Sequence, residues 1–339
     1  MAVLLVVVTA LLMRERIVEI DVSETAARVE KLRGLRFEDA PVAFRVSQET
    51  ASSGVWSVPE AQRAMLELLD LVAPGESLED DGGVWGAAVH GENYIVIADD
   101  GPRLGPLYES IVAHELTHTL EDQHFGAYET EEMSDDAATA TAALTEGTAM
   151  LVERDYADRY LGGKRPDDGD WSDGWLGREY RFVYEEGERF VAALRDQGGW
   201  PMVDRALASR PPESSEQVLH PEKWRAGEEP LPTETPLVNL GPGWKRVDRD
   251  VWGEWRTRAI VGPRLATGWG GDQFELWRRG DEHTLVMTWE WDTESGARAL
   301  ADGLRARPFM RRPGAQLRHA GARVNLVLAP SDAVAARVS

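Results

Sequence analysis

Val112-Ala113-His114-Glu115-Leu116-Thr117-His118-Thr119-Leu120-Glu121-Asp122-Gln123-His124-Phe125 is the stretch on which the fold and the chemistry turn. Its apolar positions Leu116 and Leu120, with Ile111, Val112 and Ala113 just before, predict a helix over 107–124 that is buried on several sides. Inside it lies H-E-x-x-H. Residues i and i+4 share one helix face, so two imidazoles placed there can both reach one ion at zinc distances of about 2.0–2.1 Å. Glu115, at i+1, points to the neighbouring side of that face. From there it can take a proton from water attacking a carbonyl. Without a partner, two histidines and a glutamate in so apolar a helix would be costly to bury.

A tetrahedral zinc needs a third protein ligand. The run Ala137-Ala138-Thr139-Ala140-Thr141-Ala142-Ala143-Leu144-Thr145-Glu146-Gly147-Thr148-Ala149-Met150-Leu151 holds a single carboxylate among small and apolar residues. An unpaired buried glutamate is expensive and a cation would remove that cost, so Glu146 is the expected third ligand. The competitors Glu129, Glu131, Glu132, Asp135 and Asp136 read as a solvated acidic run. The H-E-x-x-H-x-x-G-x-x-H spacing, which would supply a third histidine, does not occur here. Asp122 follows His118 by four residues and either accepts the free ring N–H of a metal-bound histidine or is a surface acid. His124 reads as structural. Tyr180, Tyr184 and His220 are the candidates for steadying an oxyanion; each also has an ordinary packing or hydrogen-bonding explanation.

The chain has 339 residues and a formal net charge of -22, with 42% apolar and 28% charged residues. That is a globular composition, long enough for one large or two medium domains. Its charge repels nucleic-acid phosphates and anionic lipid, so neither is an expected partner. The absence of cysteine excludes disulfides, thiolate metal sites and a cysteine nucleophile, leaving His, Asp and Glu to hold any metal. Only seven histidines exist, which makes their placement informative.

Ala2 to Leu12 is apolar but too short to span a bilayer as a helix. The readings that stay open for residues 1–20 are a truncated export signal or membrane anchor, a misplaced start site, and a buried strand or floppy end. Helical spacing is expected at 26–32, 59–72, 134–160, 177–197 and 202–208, and a strand at 42–46. A hairpin is expected over 84–98, turning at Gly91-Glu92-Asn93. Residues 162–173 and 210–236 read as loops. Beyond residue 240, strands are expected at 255–261, 273–278, 285–291 and 323–329, with a helix at 293–305. The fold class is therefore α+β. A mainly helical domain with an N-terminal β element would occupy 21–238 and a smaller α+β domain 239–339, its tryptophans packed in a core.

The 112–125 stretch, followed by Leu144-Thr145-Glu146-Gly147, resembles the gluzincin group of zinc metallopeptidases. More closely it is similar to an uncharacterised, often exported prokaryotic HExxH family with a HELTHALQDQHF-like helix. That family also carries segments similar to Ser215-Glu216-Gln217-Val218-Leu219-His220-Pro221-Glu222-Lys223 and Gly268-Trp269-Gly270-Gly271-Asp272. The resemblance implies Zn2+ held by His114, His118 and Glu146, with Glu115 as the base. It departs from the thermolysin pattern in a longer gap between His118 and Glu146, which implies an extra loop at about 125–134.

The expected function is zinc-dependent hydrolysis, with a polypeptide or peptide as substrate and His220 or Tyr184 assisting. The alternatives are a metal-binding protein that cleaves nothing and a zinc hydrolase of a non-peptide ester or amide. Export or tethering rests on the incomplete N-terminal segment and the resemblance.

Overall fold

The computed structural model describes residues 17–47, 58–78, 85–89, 91–98, 105–126, 132–165 and 174–338. The apolar segment at 2–12 lies outside the described residues, as do Glu129, Glu131 and most of the 162–173 loop. In chain order the elements are β1 (Val18–Ile20), α1 (Ser23–Arg33), β2 (Val42–Val46), α2 (Glu60–Leu68), β3 (Gly86–Ala88), β4 (Tyr94–Ala98), α3 (Pro106–Phe125) and α4 (Asp135–Tyr160). Then come α5 (Trp175–Tyr180), a π-helical turn (Arg181–Glu186), α6 (Gly187–Gly198), α7 (Trp200–Ser209), α8 (Ser215–Leu219) and α9 (Pro221–Ala226). The last part holds β5 (Lys245–Asp250), α10 (Gly253–Val261), α11 (Pro263–Ala266), β6 (Trp269–Arg279), β7 (Glu282–Trp291), α12 (Glu294–Arg305), β8 (Ala315–Ala320), β9 (Arg323–Leu328) and α13 (Asp332–Ala335). The class is mixed α and β with two sheets. Among the described residues no helix is long and apolar enough to cross a membrane.

Two units divide the chain, neither continuous in sequence. The first takes the described residues within Met1–Ser57, Leu78–Glu129 and Thr141–Pro211; the second takes those within Val58–Ser77, Thr130–Ala140 and Pro212–Ser339. The boundary expected near 238 falls inside the second.

In the first unit a four-stranded sheet has the order β1-β2-β4-β3, with β2 and β4 parallel and both edges antiparallel. The expected hairpin is β3–β4. Ile95 and Ile97 of β4 and Val29 of α1 meet Ile111, Val112, Leu116 and Leu120 of α3, with Val152 and Tyr156 of α4, in one buried cluster. Every residue of α3 from Ser110 to Glu121 is buried, as expected for a helix covered on all sides. Gly105 precedes it and Pro106 opens it, a first-turn position where the missing N–H costs nothing. α4 begins in the second unit, where Ser134 caps it, its Oγ accepting from Ala137 N at 3.2 Å. At the C-terminal end of α3, buried Glu121 accepts from Arg33 Nε at 2.8 Å, and the Arg33 guanidinium lies 4.4 Å from the Trp200 ring. The helix expected over 177–197 is interrupted by the π-helical turn.

The second unit is built on an antiparallel sheet of order β5-β6-β7-β9-β8. Thr293 Oγ1 caps α12 by accepting from Gly296 N. Trp252, Trp255, Trp269, Trp289 and Trp291 are buried, in line with core packing. Two expectations are corrected. Residues 253–261 form a helix, although Trp, Ile and Val there suggested a strand. The buried Asp272 carboxylate accepts the N–H of Trp252 at 2.6 Å and of Gly253 at 2.9 Å, holding the start of α10, and Glu254 pairs with Arg258 one turn on. A cap and a helical ion pair outweigh a weak strand propensity. The 210–236 segment, expected as a loop, carries α8 and α9, with Ser214 Oγ capping the first.

Candidate metal centre

His114 and His118, one turn apart on α3, bring their Nε2 atoms to 3.2 Å, with the rings near perpendicular at 4.9 Å. Glu146 of α4 meets both: its Oε2 lies 3.1 Å from His114 Nε2 and 3.3 Å from His118 Nε2. Both histidines are buried, and the Glu146 side chain is 24% exposed. Three ligand atoms thus form a nearly equilateral triangle. A tetrahedral ion bonded at 2.0–2.1 Å sets its ligand atoms about 3.3–3.4 Å apart, so the triangle has the size of one tetrahedral face.

The other ring nitrogen of His114 is held from behind. Its Nδ1 lies 3.2 Å from Oε2 of Glu153, two helical turns beyond Glu146 on α4. A carboxylate accepts, so the proton sits on Nδ1 and the Nε2 lone pair faces the triangle. There it meets a carboxylate oxygen, another acceptor. Such a pair is repulsive unless a proton or a cation stands between. The electrostatics agree. Burial pulls His114 down, yet the Glu146 and Glu153 carboxylates raise it well above its ordinary value. Burial likewise opposes the rise at His118, which Glu146 drives. Burial pushes Glu146 up, but the two imidazoles outweigh it and hold the carboxyl well below the usual range. All three shifts draw positive charge into the triangle. The donor set, two neutral imidazoles and a carboxylate, fits zinc.

The close approach of α4 depends on glycine. A Cβ on Gly147 would lie 2.2 Å from the Gly187 carbonyl carbon, and one on Gly187 would lie 2.2 Å from the Ala143 carbonyl oxygen. The two helices therefore touch backbone to backbone beside Glu146. The π-helical turn ends at Glu186, just before Gly187, and carries Tyr184, whose ring centre is 6.3 Å from that of His114. Tyr180 lies 6.3 Å from Tyr184. π-helical turns re-aim side chains and recur at functional sites.

Glu115 is buried against β3. Burial raises its pKa, while His114, His118 and the backbone N–H of Ala88 favour its charged form. A Cβ on Gly86 would lie 2.9 Å from both Glu115 Cγ and Oε1.

The other sequence candidates are placed as follows. Asp122 accepts from Gly91 N at 3.3 Å, and His124 Nε2 meets the Arg36 carbonyl at 2.7 Å. His220 belongs to the second unit, its Nε2 3.1 Å from buried Glu254 and 3.4 Å from Arg258. Glu132 and Asp135 are exposed. Asp136 is not a surface acid: it is 1% exposed, accepts from Ser215 N, and is pushed by burial up to about 6. Glu153 was not anticipated. Its signal was the spacing from Glu146, seven residues on the same helix, in a stretch that otherwise looks like an ordinary polar end.

A second trio, Glu216, Glu228 and Asp292, also has metal-ligand spacing. There Lys223 Nζ is the cation, at 2.7, 2.6 and 2.9 Å from the three carboxylates.

Known proteins add little beyond the second unit. No curated protein and no solved structure matches the chain. Residues 241–338 match a domain of unknown function, DUF8575, so the C-terminal sheet with its helices is similar to a recurring module.

Proposed function

We propose that the first unit is a zinc-dependent hydrolase, with a peptide bond as the favoured target. One observation carries this: His114 Nε2, His118 Nε2 and Glu146 Oε2 converge at 3.1–3.3 Å with Glu115 on the same helix. His114, His118 and Glu146 would hold the metal and Glu153 would orient His114. When bound, zinc supplies Lewis acidity that polarises a carbonyl and makes water easier to deprotonate. Glu115 takes the proton of the attacking water and delivers it to the leaving amine, so it starts and ends as a carboxylate. Burial, the larger influence, favours the protonated form needed for the second transfer, and the histidine neighbours and the Ala88 N–H favour the charged form needed for the first. Tyr184, near His114, offers a phenol O–H to the carbonyl oxygen as charge builds there.

The test is casein hydrolysis by the wild-type chain and by Glu115→Gln, with metal content measured on both. Chelator-sensitive cleavage by the wild type, lost by about 100-fold or more in Glu115→Gln at unchanged zinc, supports the proposal. Zinc without casein cleavage moves the reading to a small ester or amide, or to a non-catalytic metal protein. Equal cleavage by both chains contradicts it.

A further inference from the structure

We infer that Gly86 is a positioning residue for Glu115, and that the edge strand β3 sets the base. This rests on the hydrolase reading for its functional half and on geometry alone for its structural half.

Gly86 opens β3, the last strand of the first sheet, opposite Ile97 of β4. Glycine weakens a strand interior, because it is entropically costly and packs nothing. It is usually retained where the backbone must adopt positive φ. Gly86 is not among the positive-φ glycines, so its backbone would accept an L side chain. Space is what excludes one. A Cβ there would stand 2.9 Å from Glu115 Cγ, 2.9 Å from Glu115 Oε1 and 2.9 Å from Ile111 Cγ2. Ile111 is buried in the core cluster between α3 and the sheet and cannot swing away. Glu115 is buried as well, so it would have to shift with the added methyl. Two residues on, the Ala88 N–H acts on the Glu115 carboxylate. A three-residue strand thus engages one carboxylate twice, by a missing side chain at Gly86 and by an N–H at Ala88. The packing leaves Glu115 little freedom, as proton transfer requires of a base.

The experiment is a thermal double-mutant cycle on the full chain with Gly86→Ala, Glu115→Ala and the double variant, joined to kinetics of Gly86→Ala. In the Glu115 background, Gly86→Ala should lower Tm by about 3 °C or more. In the Glu115→Ala background at least about half of that drop should vanish, the Ile111 contact accounting for the rest. On a casein-derived fluorogenic peptide, Gly86→Ala should lower kcat about 10- to 100-fold, with KM and zinc content nearly unchanged. Equal Tm drops in both backgrounds would overturn the inference, as would coupling in Tm with kcat unaltered. If Gly86→Ala alone does not fold, the double variant decides: recovered folding supports the contact and continued failure overturns it. A wild-type chain that cleaves no peptide would sink the peptidase reading, and the thermal cycle would still test the Gly86–Glu115 contact.

Discussion

Two trios of ligating side chains occur in this chain, one in each unit: His114, His118 and Glu146, and Glu216, Glu228 and Asp292. In the second trio, three carboxylates converge on the ammonium of Lys223 in α9, so the chain supplies its own cation. In the first trio the converging atoms are two imidazole nitrogens and one oxygen, and the ionic partners of Glu146 among the described residues are those same histidines. Glu153 holds the proton of His114 on the far nitrogen, which aims a lone pair at a carboxylate. Acid clusters alone therefore say little about metal. What separates the two is whether the chain brings its own cation and whether the donor atoms are spaced as a coordination face.

The two trios should differ most in how they respond to loss of Lys223. Lys223→Ala leaves buried Glu216 beside two acids and should destabilise the chain by about 2 kcal/mol; breaking a fully buried pair would cost about 3–5, and the partial exposure of Glu228 and Asp292 reduces it. The variant then presents three oxygen ligands, and millimolar Ca2+ should restore part of the lost Tm while leaving the wild type unchanged. Calcium-insensitive thermal melts of the variant would mean that the three carboxylates do not form a cation site once Lys223 is gone.

Next is Glu153. Glu153→Gln keeps an acceptor for His114 Nδ1 and should weaken zinc by about tenfold; Glu153→Leu, with none, should reach about 100-fold. Competition with a chromophoric chelator reads both. Identical zinc affinity in all three proteins would mean His114 needs no orienting partner.

The smallest effect separates the units by pH. Burial pushes Asp272 of the second unit up to about 7, against the Trp252 and Gly253 N–H groups and the Trp269 indole that hold it down. Its ordinary value is 3.8, so between there and about 7 the folded chain binds more protons than the unfolded one. Its contribution to stability is full below about 4 and is lost as pH rises through about 7. Melting at pH 5 and pH 8 should differ by a few degrees, higher at pH 5, and Asp272→Asn should shrink the difference, with Asp136 and Glu216, raised to about 6 and about 7, supplying the rest. A difference of the same size in the variant would assign it to other groups.

The His114-Glu115-His118 arrangement was legible because one helix carries all three side chains, and helical geometry converts spacing into direction. Glu146 was legible for a different reason: a lone carboxylate in an Ala-rich run needs a partner, while Gly147 beside it serves the close packing of α4 against Gly187 of α6. What could not be read was long-range pairing between ordinary-looking residues. Glu153 looks like part of a polar helix end until His114 is opposite it. Asp136 looks like one of a surface acid run until Ser215 is found donating to it. Lys223 meets Asp292 across 69 residues of chain. The same limit explains the misread 255–261 segment. Its cap, Asp272, lies in the next strand, and no local propensity announces it. The role of Trp269-Gly270-Gly271-Asp272 was likewise invisible, since Asp272 acts on a helix start and a Cβ on Gly271 would lie 2.3 Å from the Leu231 carbonyl oxygen.

If the first trio holds zinc and the second does not, variants in the two should differ in metal content. The most direct measurement is zinc content by elemental analysis on the purified wild-type chain, on Glu146→Gln and on Glu216→Gln. About one zinc per chain is expected in the wild type and in Glu216→Gln, and far less in Glu146→Gln. Wild-type protein without zinc after equilibration with it, or equal zinc in wild type and Glu146→Gln, would contradict it.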